Sequence, residues 1–174
     1  MPEKPMWATF FDADRILMQL MFADPNAGVV ECGCGSGTFT VAAAARTRGT
    51  VFALDIEPTM IAATERKAQA CGLSNVRCVL RDFVGGGTGL ADNSVGYAIR
   101  FNILHSENPV GLLRETHRVL RPGGIVGVIH WNFDPTAPRG PDPIGPRPEQ
   151  CQAWTRQAGF NLLVPLRALP PYHY

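Results

Sequence analysis

Polar and acidic residues recur directly after short apolar runs in the first 132 positions. In chain order they are Glu31 with the glycine loop behind it, Asp55, Asp82, Asn102 with His105, and His130. Each apolar run is predicted to be a strand, and the carboxyl ends of parallel strands lie along one edge of an α/β sheet, where ligands bind. The spacing therefore predicts one ligand site built from five strand ends.

The glycine loop, residues 33–37, lies between a predicted strand and a predicted helix. Gly33, Gly35 and Gly37 allow a sharp turn and a close approach of a ligand to the backbone. The helix start behind them favours an anionic group such as a carboxylate or phosphate. A dinucleotide fingerprint is not matched, because Thr38 and Thr40 stand where its last glycine belongs. A plain strand-to-helix turn is the alternative.

Two acids follow the second and third predicted strands. Asp55 lies about 20 residues past the loop, where a carboxylate accepts hydrogen bonds from ribose hydroxyls. Asp82 can accept a hydrogen bond from the exocyclic amine of an adenine, with Phe83 beside the ring. The alternative for Asp55 is a helix cap ahead of Pro58, and for Asp82 a cap or loop acid.

Strand-like and helix-like segments alternate along the chain. The predicted strands are 27–32, 50–55, 76–81, 95–101, 125–131 and 162–166, and the predicted helices are 12–21, 38–46, 58–71, 109–120 and 149–158. This alternation predicts an α/β fold with a single doubly wound, mostly parallel sheet and helices on both faces, Rossmann-like, with its last strand truncated.

A length of 174 residues predicts one domain. We divide it into an N-terminal helix and lid segment (1–26, with Trp7, Phe10 and Phe11), a core (27–132), a proline-rich rim loop (133–148) and a C-terminal helix and strand (149–174).

A net charge of +1 without a basic run argues against nucleic acid or an anionic membrane as partner. With no apparent signal peptide or membrane span, the five cysteines predict reduced thiols in a cytoplasmic protein. Cys32 and Cys34 lack a second pair at metal-site spacing, so we predict no metal. A monomer or a homodimer is expected.

Four blocks together resemble the class I S-adenosylmethionine-dependent methyltransferases. They are VVECGCGSGTFT, VFALDIEPTMI, RCVLRDF and LLRETHRVLRPGGIVGVIHW, in that order between about residues 27 and 131. Two departures are that Glu31 stands where an aspartate is commoner and that Gly96 stands where strand four often has an acid.

The resemblance implies a methyl transfer from S-adenosyl-L-methionine to a small-molecule acceptor. It implies that Glu31 holds the ammonium group of the cofactor and that Asp55 holds the ribose. The other implied cofactor residues are Gly33, Cys34, Gly35, Gly37, Ile56, Met60, Asp82, Phe83, Phe101 and Asn102.

A general base would assist an acceptor that has a proton to lose, and His105 and His130 are the candidates, with Asn102 facing the reacting methyl group. The alternatives are a helix cap for His105 and a satisfied core residue for His130. A non-catalytic cofactor-binding or subunit protein and an NAD-dependent oxidoreductase are the competing functions.

Overall fold

The computed structural model describes residues 12–20, 22, 24–132, 145–170 and 173–174. Five strands and five helices lie within these ranges. In chain order they are α1 (Ala13–Gln19), β1 (Val29–Cys32), α2 (Thr38–Ala44), β2 (Val51–Asp55), α3 (Pro58–Ala70), β3 (Val76–Leu80), β4 (Val95–Phe101), α4 (Pro109–Val119), β5 (Leu120–Ile129) and α5 (Pro148–Gln157).

The strands form one parallel sheet in the order β3-β2-β1-β4-β5. The central strand β1 is flanked by β2 on one side and by β4 on the other, so the direction of winding reverses beside β1. A crevice opens at the carboxyl ends of strands at such a reversal. The α/β class and the parallel, doubly wound sheet predicted from the alternation are confirmed.

Each face of the sheet carries its own apolar core. Ile16 and Leu17 of α1 pack with the alanines of α2 against Val29 and Ile99 on one face. Leu112 and Leu113 of α4 pack with α5 on the opposite face. Burial on both faces explains why β1 and β4 read as almost continuous apolar runs.

Local sequence signals fix most helix ends. Asp12 caps α1 by accepting a hydrogen bond from the backbone N–H of Arg15 at 3.0 Å. Pro58 occupies the first turn of α3, and Gly72 follows that helix with φ +67°, a left-handed conformation that glycine adopts without strain. Asn108 caps α4 through Gly111 in the same way as Asp12 caps α1.

The predicted sixth strand, 162–166, is wrong. That run forms no strand, and most of it is exposed, with Leu163 at 64%. Pro165 has no N–H to give to a ladder, and its carbonyl accepts a hydrogen bond from Gln152 Nε2 at 2.8 Å. An apolar run alone does not make a strand where no neighbouring strand offers partners.

The start of β5 also differs from the prediction. The strand begins at Leu120, directly after α4, rather than at the predicted residue 125, and it includes Pro122, Gly123 and Gly124. The ladder with β4 jumps from the Val95–Leu120 pair to the Tyr97–Ile125 pair. Residues 121–124 therefore form an irregularity inside the strand, which Gly123 accommodates at φ +77°.

The predicted aromatic lid at Trp7, Phe10 and Phe11 and residues 133–144 of the rim loop lie outside the described residues. Among the residues that are described, the longest helix has 13 residues, and none combines the length and apolar content needed to cross a bilayer.

Candidate cofactor site

The glycine loop turns between β1 and α2 through three left-handed glycines. Gly33, Gly35 and Gly37 have φ values of +77°, +54° and +77°. A Cβ atom at Gly33 would lie 2.8 Å from Ile103, and one at Gly37 would lie 2.9 Å from Thr64. A Cβ atom at Gly35 would meet no atom within 4 Å. Gly33 and Gly37 therefore serve internal packing, whereas Gly35 faces open space in which a ligand can approach the backbone.

The loop after β1 is tied to the loop after β2 by a single side chain. Asp55 accepts hydrogen bonds from the N–H of Gly35 at 2.9 Å and from the N–H of Glu57 at 3.0 Å, one on each carboxylate oxygen. Asp55 does not cap α3, whose N-cap is Glu57. Each carboxylate oxygen has a second lone-pair site, so the group can still accept the two hydroxyls of a diol.

The third strand reaches the same edge through Phe83. Its ring is buried, and a Cβ atom at Gly33 would lie 3.9 Å from its Cζ. Asp82, one residue earlier, is exposed and accepts the N–H groups of Val84 and Gly85 on Oδ1, each at 3.0 Å. Asp82 thus closes a turn, as the alternative interpretation required, and Oδ2 accepts no hydrogen bond from the described residues.

Two apolar side chains flank Asp55 on the open side of the sheet. Ile56 is 60% exposed directly after the acid, and Met60 is half-buried one turn into α3. An exposed isoleucine beside a buried carboxylate provides an apolar surface for a planar ring.

Glu31 is buried at the end of β1, where it is 3% exposed and accepts a hydrogen bond from the hydroxyl of Thr40. Burial raises the pKa of this carboxyl group to about 8, against the opposing effect of the Thr40 hydrogen bond. The group therefore holds its proton at neutral pH unless a cation lies beside it. An ammonium ion at this position would favour the ionised form.

The end of β4 contributes a strained residue. Asn102 has φ +55°, and it is one of two non-glycine residues with positive φ in the described ranges. Its N–H donates to the carbonyl of Ile129 at 2.7 Å, whereas its buried Oδ1 has no hydrogen-bond partner among the residues that the structure describes. Left-handed asparagines and buried orphan acceptors both concentrate at functional sites. Phe101, before it, packs edge-on against Phe39 of α2.

The two candidate histidines lie near each other but in different environments. His105 is exposed, and its ring centroid is 6.3 Å from that of His130. His130 is 2% exposed, and its Nε2 accepts a hydrogen bond from the N–H of Leu104 at 3.1 Å. This bond holds the β4–α4 loop against the end of β5, which fits the alternative of a satisfied core histidine for His130.

A buried arginine near the site was missed at the sequence level. Arg100 in β4 is fully buried, and its Nε donates to Thr116 of α4 at 2.8 Å. Its Nη1 donates to the carbonyls of Ile99 at 2.8 Å and Val30 at 3.3 Å. A charged residue among apolar ones in a central strand was the available signal, because such a charge needs internal partners.

Cys32 at the end of β1 and Cys34 in the glycine loop remain protonated thiols. Burial raises the pKa of Cys32 to about 11, and it also raises the pKa of Cys34. Within the described ranges, no three His, Cys, Asp or Glu residues come together as a metal site. None of the five cysteines, all of which lie in those ranges, forms a disulfide.

Residues 29–124 match the model of the methyltransferase-domain family. This match covers more than half of the chain, so the chain belongs to the methyltransferase-domain family. The family predicted from the four sequence blocks is thereby confirmed.

Individual relatives agree with this assignment. The demethylmenaquinone methyltransferase of Geobacillus stearothermophilus is 34% identical over 95 residues, which make up 54% of this chain and 40% of the relative. The chain thus spans less than half the length of that curated relative.

Solved structures share the fold. A SAM-dependent methyltransferase from Aquifex aeolicus superposes with a TM-score of 0.85 at 20% identity, covering 98% of this chain and 90% of the other. The [4+2]-cyclase SpnF superposes with a TM-score of 0.75 at 24% identity, covering 87% and 58%. At these identities the likeness concerns the fold alone.

Proposed function

We propose that this chain binds S-adenosyl-L-methionine along the edge formed by the strand ends and transfers its methyl group to a small-molecule acceptor. The observation that carries the proposal is the bond between Gly35 and Asp55. It joins the one loop glycine whose Cα faces open space to a carboxylate able to accept a ribose diol. The product would be S-adenosyl-L-homocysteine.

The cofactor residues divide by the group they would hold. Glu31 would pair with the ammonium group, because its buried carboxyl lacks a cationic hydrogen-bond partner among the described residues. Asp55 would hold the ribose, and Asp82 the exocyclic amine of adenine. The residues that would line the remaining surface are Cys34, Gly35, Ile56, Met60, Phe83, Phe101 and Asn102, whereas Gly33 and Gly37 would shape the loop by packing against Ile103 and Thr64.

The bound sulfonium supplies an activated methyl group, so the chain has to align the acceptor with it and keep water out. Positioning of this kind contributes several kcal/mol, about 7–11 kcal/mol in well-oriented cases. Asn102 is suited to the task, because its Oδ1 has no partner among the described residues and can accept a hydrogen bond from the methyl acceptor.

Of the two histidines, His105 is the better candidate for a general base. Its ring is exposed after β4, whereas Nε2 of His130 is occupied by the Leu104 N–H. We propose that His105 takes the proton of an acceptor that must lose one, and that His130 positions the loop carrying it.

The proposed partner is a small molecule, with no nucleic acid or membrane surface required, and the chain would act in the cytoplasm as a monomer or a homodimer. The name of the Geobacillus relative makes demethylmenaquinone the first acceptor to assay. Phenols, amines, thiols and arsenite complete a panel that covers the other acceptor atoms.

Calorimetric titration with S-adenosyl-L-homocysteine and with NADH tests the cofactor, and product formation across the panel tests the reaction. We expect binding of S-adenosyl-L-homocysteine, no binding of NADH, and methylated product with at least one acceptor. Binding of NADH alone would indicate the oxidoreductase instead. Tight cofactor binding without product would favour the non-catalytic binding protein.

A further inference from the structure

A glycine-rich segment, residues 85–90, follows the proposed adenine-binding residues Asp82 and Phe83. Four of its six residues are glycines, which lose more conformational freedom on folding than any other residue. A segment of this kind holds one conformation only if other side chains fix it. The structure shows two groups of side chains that do so, here called anchors. One holds residues 86 and 87, and the other holds residues 88 and 90.

The first anchor is local. Arg81, at the end of β3, donates from Nε to the carbonyl of Gly87 at 2.6 Å and from Nη2 to the carbonyl of Gly86 at 2.8 Å. Both bonds go to backbone atoms, so they fix the path of the chain rather than any side chain.

The second anchor comes from α4, in the sequence RETHR (residues 114–118). This sequence is part of one of the four blocks that resemble the family, but the resemblance assigned no function to its residues. Oε1 of Glu115 accepts the N–H of Thr88 at 2.8 Å and its hydroxyl at 2.7 Å. Arg118 donates two hydrogen bonds of 2.8 Å to the same carboxylate and a third, also of 2.8 Å, to the carbonyl of Leu90. The Arg118 and Thr88 hydrogen bonds lower the pKa of Glu115 to about 2, so it remains charged at neutral pH.

The segment in turn defines where the carboxylate of Asp82 lies. The N–H of Gly86 donates to the Asp82 carbonyl at 3.0 Å, and Val84 and Gly85 donate to Oδ1. A Cβ atom at Gly85 would lie 2.8 Å from Oδ2, the oxygen without a partner in the described residues. A shift of the segment would therefore move the oxygen proposed to face the base.

We propose that Glu115 is a positioning residue for base recognition. Through Thr88 it fixes segment 85–90, and through that segment it aims Oδ2 of Asp82 at the 6-amino group of the cofactor's purine. The inference rests on the proposed function. It assigns to this chain a selectivity for a 6-aminopurine over a 6-oxopurine, because a 6-oxo group would bring a second acceptor against the carboxylate.

The test compares the dissociation constants of S-adenosyl-L-homocysteine and S-inosyl-L-homocysteine, which differ at position 6 of the base. We expect the unmodified chain to prefer the adenosyl compound by at least ~10-fold. Glu115→Gln should reduce this preference several-fold, and Asp82→Asn should reduce it at least as far. A change in the ratio of the two dissociation constants indicates that Asp82 is oriented differently toward the base. A general loosening of the site would instead weaken the binding of both ligands equally.

The matched control is Asp14→Asn, which removes the charge from a carboxylate–arginine pair elsewhere in the molecule, that of Asp14 in α1 with Arg46, two residues after α2. Its preference should equal that of the unmodified chain. If Glu115→Gln does not fold, Thr88→Val removes the hydroxyl donor while leaving the Glu115–Arg118 pair, and it should lower the preference to a smaller extent.

The outcomes separate the two proposals. No binding of either ligand to the unmodified chain would overturn the proposed function itself. A preference for the adenosyl compound that survives in both Glu115→Gln and Thr88→Val, or one that falls equally in Asp14→Asn, would overturn the positioning role alone.

Discussion

At the scale of single residues, the proposed site depends on two buried carboxylates with different partners. Asp55 receives two backbone N–H groups, one on each carboxylate oxygen. Glu31 receives one hydroxyl, from Thr40, and its pKa is raised to about 8 by burial. One acid is thus held ready for a neutral diol, and the other is suited to a cation.

Replacing Asp55 tests the first of these roles. We expect Asp55→Ala to weaken S-adenosyl-L-homocysteine binding by about 1–3 kcal/mol, because the ribose hydroxyls and the Gly35 N–H lose their acceptor. Isothermal titration calorimetry measures the change. Asp14→Ala, which removes an exposed acid on α1, is the control, and equal affinity in Asp55→Ala and the unmodified chain would contradict the assignment.

The raised pKa of Glu31 predicts a pH dependence of cofactor binding. Below about pH 8 the free protein holds the proton, and pairing with an ammonium requires its release. The affinity for S-adenosyl-L-homocysteine should therefore rise between pH 6 and 8, by up to ~10-fold per pH unit, and level off above the pKa.

Calorimetry in buffers of different ionisation enthalpy should show close to one proton released at pH 6–7. Glu31→Gln, which cannot ionise, should bind weakly at pH 8 and lose the slope. The nearby charges are Asp55, Arg100 and Lys67, which are the other groups that act on Glu31. A slope that persists in Glu31→Gln would assign the proton to another group.

At the scale of the elements, the five-residue glycine loop contains glycines with different tasks, some required for packing and one facing the proposed ligand. Gly37 is pressed against Thr64 of α3, whereas Gly35 borders open space. The same residue type therefore serves two purposes that the sequence does not distinguish.

This contrast predicts opposite outcomes for two alanine substitutions. Gly37→Ala should destabilise the fold by about 2–5 kcal/mol, since its methyl group would collide with Thr64 in addition to the left-handed strain. Gly35→Ala carries only the strain, about 1–2 kcal/mol, but its methyl group would occupy the space proposed for the ligand.

Chemical denaturation and calorimetry with S-adenosyl-L-homocysteine measure the two effects separately. The larger loss of stability should belong to Gly37→Ala and the larger loss of affinity, relative to the remaining folded fraction, to Gly35→Ala. The reverse order would mean that Gly35 does not face the ligand.

At the scale of the whole molecule, Arg100 connects the two halves of the sheet with a helix. It bonds the carbonyls of Val30 in β1 and Ile99 in β4, and it reaches Thr116 in α4. These elements meet at the reversal of winding where the site forms. The Arg100 bonds thereby hold β1, which carries Glu31, against β4, which ends one residue before Asn102.

Arg100→Lys tests this connection. Lysine retains the charge but cannot present the planar fork that reaches three acceptors, so we expect a loss of about 2–4 kcal/mol in the free energy of unfolding. Urea denaturation measures it. Arg77→Lys, on an exposed position of β3, should change stability by less than ~0.5 kcal/mol, and a similarly small effect at Arg100 would refute its role as a connector.

Much of the fold was predictable because its signals are local. Pro58 and Gly72 bracket α3, Asp12 caps α1, and the apolar run of β4 was predicted with the observed bounds. The prediction failed at residues 162–166, where a strand would have needed a neighbouring strand as partner. It also failed at the start of β5, because the strand includes Pro122, Gly123 and Gly124 as an irregularity in its pairing with β4.

By itself the sequence determined the α/β class, the order of the elements and the placement of acids and glycines after the strands, since hydrophobic periodicity and turn chemistry act over a few residues. Only the tertiary structure decided which of those residues the protein satisfies internally. His130 is engaged by Leu104, Gly33 and Gly37 by packing, and Gly35 borders open space. Such distinctions depend on contacts between segments far apart in sequence, which no local pattern encodes.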